Sequence, residues 1–405
     1  MNRFRRVDRY ALVVMAALAC SPSHAEFDGR LRMDAIDSHR AGHGPLAQAN
    51  ATLPGFVDGS GTELNPQAEL RGSVGAFHGV GTLARYDSRV NELYGAFGEG
   101  TWQWTVGRRI VSWDVGEGFR PNDLVQQEPR RPLVPFLPAG RTVAMAEYLD
   151  ASSAWSVLAV NPEKARASRN AEEPALASRY YLRDGAVDWH GFARWGLRTR
   201  GSVGGAFAWV VNDATELHGS LRWLDRADTL RVDPAITSLV STSPWQPSTV
   251  RHATKALLGG SWTGASRFGV LLEAWWDGSA LADTQWDAWN ARNRSLAALT
   301  HGAGVPAVAL AANQAWQALA FDDGVNLRRF NLFARASWKG ETWEPAINVL
   351  YAPADAGRSI TASLGWQRDA LRVELGVRIN GGPGDAVLAQ VPVRRAAYVT
   401  GSWRF

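Results

Sequence analysis

The stretch that decides the fold lies near the amino end, where residues 27–35 read Phe-Asp-Gly-Arg-Leu-Arg-Met-Asp-Ala. Apolar or small residues alternate with charged residues at every position, which is the period of two that a β-strand imposes on its two faces. In a soluble sandwich the apolar face would point to a core. In a membrane barrel it would point to lipid, and the charged face would line water.

The same alternation returns along the whole chain, and no stripe with a period of 3.6 residues is comparably clear. Most of the alternating segments have close to the roughly 9–11 residues that a tilted transmembrane strand needs. We predict 18 strands, at 27–37, 66–77, 79–87, 90–99, 102–110, 142–150, 153–160, 176–183, 187–196, 198–211, 214–224, 251–263, 267–277, 326–338, 342–351, 358–367, 371–380 and 395–405.

The connections that follow even-numbered strands are all short, and every long connection follows an odd-numbered strand. The short ones lie around His78, 100–101, Ala151, 184–186, 212–213, 264–266, 339–341 and 368–370. The long ones lie at 38–65, 111–141, 161–175, 225–250, 278–325 and 381–394. A barrel with both termini in the periplasm has short periplasmic turns and long extracellular loops. The pattern therefore predicts an all-β protein, a transmembrane antiparallel up-and-down β-barrel of about 18 strands.

Tryptophan gives a second indication, since the chain contains 19 of these residues. Beside the short turns, at lipid-facing positions, lie Trp102, Trp189, Trp209, Trp262, Trp338, Trp343, Trp366 and Trp403. At or near the other strand ends lie Tyr86, Trp195, Trp223, Trp276 and Tyr351. Amphipathic rings prefer the headgroup level of a bilayer, so this placement predicts two aromatic belts.

Residues 1–25 have the composition of a secretory signal peptide. A basic segment precedes the apolar run 11–19, and Ser23-His24-Ala25 is a small-x-small cleavage site. We expect a signal peptide at 1–25 and an outer-membrane barrel at 26–405. Cys20, the only cysteine, stands in a loose likeness of a lipobox, and we interpret it as part of the removed peptide. The mature chain then has no disulfide framework.

Several function classes are disfavoured. Residues 26–405 carry 39 basic and 38 acidic residues without a Lys/Arg run, so nucleic-acid binding is not expected. The histidines lack metal-ligand spacing, and no nucleophile-elbow motif occurs. We therefore expect neither an enzyme nor a cofactor or metal site. The sequence carries no signal for the oligomeric state.

The carboxyl end carries a family resemblance. Residues 398–405 read Tyr-Val-Thr-Gly-Ser-Trp-Arg-Phe, and the chain stops on the aromatic residue. This ending resembles the signal by which outer-membrane barrels are recognised for assembly, with Trp403 and Phe405 as its aromatic positions. The mature chain also resembles porins of 16–18 strands, and the strand count is similar to that of alginate-export-type barrels. The resemblance implies the outer membrane of a Gram-negative bacterium, with membrane lipid and the barrel-assembly machinery as partners.

The predicted lumen is rich in charge, and its arginines are the candidate pore-lining or solute-binding residues. On strands these are Arg30, Arg32, Arg71, Arg109, Arg194, Arg222, Arg335, Arg372 and Arg378. Facing them are Asp28, Asp34, Glu69, Asp188, Glu216, Glu273, Glu344 and Glu374. Charges belong inside because a lipid-facing arginine costs roughly 2–4 kcal/mol at mid-bilayer. They form either ion pairs that hold the wall together or a pore that selects solutes by charge.

The long connection 111–141 is the most specific candidate. Gly116, Gly118 and Pro121 permit it to fold back toward the barrel mouth, above Arg109. It would present Asp114, Arg120, Asp123, Arg130 and Arg131 to a solute. The alternative is a loop that only covers the surface, packed by Trp113 and Phe119.

These features predict a channel or exporter for small polar, anionic or sugar-derived solutes. The alternative is a non-conducting barrel that binds a surface polysaccharide or an assembly partner.

Overall fold

The computed structural model describes residues 25–40, 61–85, 88–126, 131–134, 136–164, 172–232, 245–302, 326–391 and 393–405. These residues form one antiparallel sheet of 18 strands, in which consecutive strands are neighbours and the last strand pairs with the first. The sheet is therefore a closed barrel, and the predicted fold class is confirmed. Arg130, Tyr86 and residues 1–24 of the expected signal peptide lie outside the described residues.

The strands follow chain order. They are β1 Ala25–Arg40, β2 Gly61–Val74, β3 Phe77–Ala84, β4 Ser88–Glu99, β5 Trp102–Arg109, β6 Arg141–Leu149, β7 Ser153–Val160, β8 Ala175–Asp184, β9 Val187–Gly196, β10 Arg200–Asn212, β11 Thr215–Val232, β12 Trp245–Thr263, β13 Phe268–Asp277, β14 Phe330–Trp338, β15 Trp343–Ala352, β16 Gly357–Arg368, β17 Leu371–Gly381 and β18 Val393–Arg404. Among the described residues one α-helix, α1, spans Asp283–Gly302 between β13 and β14.

The turns at one end of the barrel are short throughout, as the alternation of connection lengths predicts. Gly75, Gly100 and Gly185 adopt φ values of 56°, 62° and 59° there. Two-residue hairpin turns need positive φ, which glycine adopts without a steric penalty. The first turn was misplaced by sequence reasoning, because it lies at residues 75–76 and His78 belongs to β3. The positive φ of Gly75 explains why the chain reverses there.

The outer connections differ more from prediction. The two ends of the connection predicted at 225–250 are strand, because β11 continues to Val232 and β12 begins at Trp245. The connection predicted at 278–325 contains α1, although the sequence shows no clear helical stripe there. Trp286 and Trp289 of α1 are buried against Val232 and Trp245. Contacts with the extended hairpin therefore stabilise this helix.

Strand β14 also differs from its predicted span, since it begins at Phe330 and not at 326. Within the described ranges, no helix is both long enough and apolar enough to cross a membrane.

The outward face of the barrel is apolar and edged by aromatic rings. On β1, Phe27, Leu31 and Met33 expose 51%, 47% and 48% of their surface, whereas Asp34 on the other face is buried. Exposed rings also stand beside the short turns at Trp102, Trp189, Trp209, Trp262, Trp338, Trp343 and Trp403. Trp195, Trp223, Trp276 and Tyr351 are exposed near the opposite strand ends. These positions agree with two aromatic belts, one at each edge of an apolar band that spans the bilayer.

The barrel closes where β18 meets β1. The backbone amides of Gly29 and Phe405 each donate a hydrogen bond to the other residue's carbonyl, at 2.9 and 3.0 Å. The Phe405 ring lies directly over Gly29, where an added Cβ would come within 2.4 Å of the ring. Trp403 lies beside Phe405, with ring centroids 5.2 Å apart. The terminal aromatic residue therefore covers Gly29, a position of the closing strand pair that has no side chain of its own.

We expect Phe405→Ala to reduce assembly of the folded barrel. The substitution uncovers Gly29 at the closure and removes the aromatic end of the proposed assembly signal. The measurement is the fraction of heat-modifiable barrel in the outer-membrane fraction on gels. Phe268→Ala is a matched control, since Phe268 is also an exposed ring at a strand end beside a short turn. Equal amounts of folded barrel from both variants would contradict the prediction.

Candidate functional site

One part of the inner wall of the barrel is apolar. The lumen-facing side chains of β6, β7 and β9 include Val143, Met145, Leu158, Val160 and Phe192, and all of them are buried. Such residues would be exposed to water if the lumen were empty. The segment that follows β5 covers them with three side chains of its own, Val111, Leu124 and Val125. We call the described residues of 110–140 the inner loop, because this segment is fixed inside the barrel.

The tip of the inner loop reaches across the lumen to β13. The carboxylate of Glu273 accepts hydrogen bonds from the backbone amides of Glu117 and Gly118, at 2.8 and 2.6 Å. It also lies 2.9 Å from Nε2 of His218 on β11. Phe119, next in the loop, is fully buried against Trp275 and Leu257. Burying a phenylalanine side chain stabilises by about 1.5–3 kcal/mol, so the tip is held by both apolar and polar contacts.

A second attachment joins the loop to β11. Ser220 Oγ donates to Asp114 Oδ2 at 2.9 Å and accepts from Asn122 Nδ2 at 2.8 Å. The Asn122 amide group also donates to the carbonyl of Leu221 at 3.1 Å. Burial raises the pKa of Asp114, although the Asn122 backbone amide and the Ser220 hydroxyl donate to its carboxylate. Arg222 of β11 donates to the carbonyl of Pro121 at 3.3 Å.

A third attachment reaches β17. Arg378 donates to the backbone carbonyls of Arg131 and Pro132, at 3.1 and 3.3 Å. The guanidinium of Arg131 lies 4.9 Å from the centre of the Trp275 ring, and it donates to Asn326 at 3.1 Å. It also donates to the carbonyl of Gly118. The inner loop is thus fixed to β11, β13 and β17, and it narrows the lumen.

A cavity of about 1630 Å³ remains between the inner loop and the barrel wall, and it is lined mainly by β11–β18, with Arg141 of β6 and Arg194 of β9 at its edge. Among the described residues that line it, eleven are arginine or lysine and seven are aspartate or glutamate. The basic residues are Arg131, Arg141, Arg194, Arg222, Arg226, Lys255, Arg328, Arg335, Lys339, Arg372 and Arg378. The acidic residues are Glu117, Asp123, Glu172, Asp228, Asp277, Glu344 and Glu374. The cavity surface therefore carries an excess of positive charge.

Part of this charge is neutralised in buried pairs. Lys255 Nζ lies 3.5 Å from Asp277, and Arg194 donates to Glu173 at 2.9 Å. Burial alone would raise the pKa of Glu173. Hydrogen bonds from the Thr199 side chain and the Arg194 guanidinium outweigh that effect, and the pKa lies below its usual range. Such pairs stabilise the wall at the outer end of β9, where Glu173 also accepts the backbone amides of Arg198 and Thr199.

The wall opposite the apolar strands is polar, and fewer of its charged side chains form ion pairs. Arg335 on β14, Asn348 on β15, Thr361 on β16 and Arg378 on β17 are successive partners across the sheet and form one row. Arg378 donates to Thr361 Oγ1 at 2.8 Å. Arg335 is exposed to the cavity and has no hydrogen bond or ion pair with any residue that the structure describes. This row offers a free cation, an amide and a hydroxyl to a solute.

The residues predicted from sequence fall into three groups. Those that line the cavity are Asp123, Arg131, Arg194, Arg222, Arg335, Arg372 and Arg378. Arg30, Arg32 and Arg71 lie on β1 and β2, where Arg32 pairs with Asp34 and Arg71 pairs with Glu69. The rest belong to the inner loop or its base: Arg109, Asp114 and Arg120.

Arg109 and Arg120 both contact residues of the protein itself. Arg109 donates to Thr105 at 3.1 Å and stacks 5.2 Å from the Tyr94 ring centre, so it contacts the β4–β5 wall. Arg120 donates to the carbonyl of Gly116 at 2.7 Å and to Ser112. It therefore stabilises the conformation of the loop itself.

Sequence reasoning missed the pair Lys255–Asp277 and the anchor Asn122. The alternation of residues on β12 and β13 could have predicted that Lys255 and Asp277 face the lumen. Trp276, which lies between the lumen-facing positions 275 and 277, is exposed on the outside of the barrel. Nothing in the sequence marks Asn122, because its partners lie about a hundred residues away. Within the described ranges, no cluster of three or more metal-ligating side chains occurs.

Comparison with known proteins supports the fold. No family model matches the chain, and no curated protein matches its sequence. OccK11 (OpdR) of Pseudomonas aeruginosa aligns with a TM-score of 0.53 at 8% identity, over 94% of this chain and 96% of that one. OccK3 (OpdO) of the same organism aligns at 0.53 and 9% identity, over 94% and 95%.

A third similar structure is Wzi, an outer-membrane protein involved in group 1 capsule assembly in Escherichia coli and a carbohydrate-binding β-barrel. It aligns with a TM-score of 0.53 at 10% identity, over 98% of this chain and 88% of Wzi. At these identities the likeness is one of fold. The chain has the porin-like fold of Gram-negative outer-membrane barrels.

We expect Phe119→Ala to release the inner loop. Removing a fully buried phenylalanine ring costs about 3–5 kcal/mol. The measurement is limited digestion of the folded barrel with a protease that cuts before aspartate, followed by mapping of cleavage at Asp114 and Asp123, which are both buried in the wild-type loop. The wild-type loop should resist the protease, and the variant should be cut.

Phe136→Ala is the matched control, since Phe136 lies in the same loop but is 47% exposed. Equal resistance of Phe119→Ala and Phe136→Ala would show that Phe119 does not hold the loop.

Proposed function

We propose that the protein is an outer-membrane channel for small anionic or polar solutes, including sugar-derived ones, and that it is not an enzyme. The observation that carries this proposal is the charged cavity between the inner loop and β11–β18. It has a volume of about 1630 Å³, and its described lining carries more basic than acidic residues. A lumen narrowed by a loop and lined with fixed charge selects solutes by size and sign.

The distribution of pairing supports an anion preference. Asp277 is buried beside Lys255, and Glu344 and Glu374 both accept hydrogen bonds from Arg372. Arg335 has no such carboxylate partner within the described residues. Arg378 hydrogen-bonds to a hydroxyl and to backbone carbonyls, so Arg335 and Arg378 leave uncompensated positive charge on the polar wall. A charge in a narrowed, partly water-depleted site acts more strongly than on an open surface.

A second candidate function is a non-conducting barrel that binds carbohydrate. Two observations favour it. Wzi, which shares the fold, is a carbohydrate-binding β-barrel. In addition, the inner loop occupies part of the lumen, and α1 packs with Val232, Trp245 and Val387 at the outer end. A row of hydroxyl, amide and guanidinium groups suits a sugar as well as an inorganic anion.

Planar-bilayer recording of the purified barrel separates these functions. The channel proposal predicts discrete conductance steps and a reversal potential in a salt gradient that indicates anion preference. Arg335→Glu should shift that potential toward cation preference, because it reverses a charge on the cavity wall.

Arg267→Glu is the matched control. Arg267 precedes β13 in a short turn outside the lumen, so its replacement should leave selectivity unchanged. A barrel that inserts without any conductance steps would contradict the channel and favour the carbohydrate-binding function. Equal reversal potentials for wild type and Arg335→Glu would show that Arg335 does not line the route of the conducted ions.

A further inference from the structure

Two arginines stand on the outside of the barrel, where they cannot contact a solute in the lumen. Arg358 begins the lipid-facing series Arg358, Ile360, Ala362, Leu364 and Trp366 on β16. Arg395 begins the corresponding series on β18, which continues through Ala397 and Val399 to Phe405. Both arginines are exposed. Neither arginine belongs to the lumen, the inner loop or the cavity described above.

Neighbouring residues indicate the level of the bilayer at which the two arginines lie. Arg358 pairs across the sheet with Tyr351, which is an exposed ring of the belt far from the short turns. Tyrosine at a belt marks the headgroup level of a bilayer. An arginine at this level costs only about 0–1 kcal/mol, against roughly 2–4 kcal/mol at mid-bilayer. Arg358 and Arg395 therefore lie among headgroups and not among acyl chains.

The two arginines flank one open position. Arg358 pairs with Gly381 on β17, and Arg395 pairs with Ile379 on the same strand. A side chain added at Gly381 would meet no atom within 4 Å, so the space between the arginines is open. From the spacing of strands and residues, the two Cα atoms are roughly 12 Å apart. Two long side chains at that separation can converge on one group.

Neither arginine has a carboxylate partner within the described ranges. The acidic residue that lies diagonally to Arg395 is Asp37 on β1. It is already engaged, since Thr62 donates to Asp37 Oδ1 at 3.3 Å and His39 lies 3.4 Å from Oδ2. A different rim arginine, Arg108 on β5, donates to the carbonyl of Val90 at 3.4 Å.

We propose that Arg358, Gly381, Arg395 and Tyr351 form an outer rim site for the phosphate group of an outer-leaflet lipid. Guanidinium groups bind phosphate through bidentate, charge-assisted hydrogen bonds. The open position at Gly381 admits the headgroup, and the apolar positions below it, Ile379 and Val377, contact the acyl chains. The inference rests on the proposed outer-membrane placement, and it is independent of whether the lumen conducts.

The test is lipid binding by the purified full barrel in detergent, measured by native mass spectrometry. The probes are lipid A with both phosphates, lipid A without phosphates, and inorganic phosphate alone. The variant is Arg358→Gln with Arg395→Gln. We expect it to bind the phosphorylated lipid about tenfold or more weakly than wild type, since loss of a hydrogen bond to a charged group changes affinity by at least that factor.

Arg267→Gln with Arg368→Gln is the matched control, because both arginines lie at the opposite end of the barrel. It should bind like wild type, and phosphate-free lipid should bind all three barrels equally. Equal binding of phosphorylated lipid by wild type and by the rim variant would overturn the proposal. So would binding of inorganic phosphate as tight as that of the lipid. The readout does not depend on conductance, so failure of the channel proposal leaves it intact.

Discussion

The structure depends on one constraint, which is that the inner wall over β6–β10 is too apolar to face water. Val143, Met145, Leu158 and Val160 are buried there, with Phe192 beside them. An open barrel of this width leaves an aqueous channel, so these side chains need a cover. Val111, Leu124 and Val125 of the inner loop provide it. Each buried aliphatic side chain contributes about 1.5–3 kcal/mol, which favours a loop inside the lumen over one in solvent.

The polar part of the lumen follows from that placement. Once the loop lies against β6–β10, its backbone amides and carbonyls must find partners inside the barrel. Glu273, Ser220 and Arg378 supply them from three different strands. What remains is a cavity bounded on one side by the loop and on the other by the hydroxyl, amide and guanidinium groups of β14–β17. The asymmetry of the inner wall therefore determines where a solute can pass or bind.

The sequence predicted the barrel well because strand alternation is a local signal. Each of the 18 strands, and every short turn except the first, could be located from residues within a few positions of one another. The extension of β11 and β12 and the helix α1 could not, because they are stabilised by contacts of Trp245 with Trp286 and Trp289. The inner position of the loop was anticipated from its glycines and charges. Its anchors, Asn122 to Ser220 and Gly118 to Glu273, join residues about 100 and 155 positions apart. The sequence nonetheless contained a signal for a loop inside the lumen, because β6 and β7 have apolar residues on both faces and the inner face then needs a cover.

The central claim is that the inner loop is bound to the inner wall, and a cross-link tests it most directly. Asn122 Nδ2 lies 2.8 Å from Ser220 Oγ, so a short bifunctional thiol reagent can join cysteines placed at these two positions. Residues 26–405 contain no other cysteine. If the inner loop lies against the wall, Asn122→Cys with Ser220→Cys, folded under reducing conditions and then treated with the reagent, should be cross-linked in the intact barrel. Asn122→Cys with Thr400→Cys, which places the second cysteine on the distant strand β18, should not be cross-linked. A folded barrel in which the first pair stays unlinked, or in which both pairs react equally, would contradict the bound position of the loop.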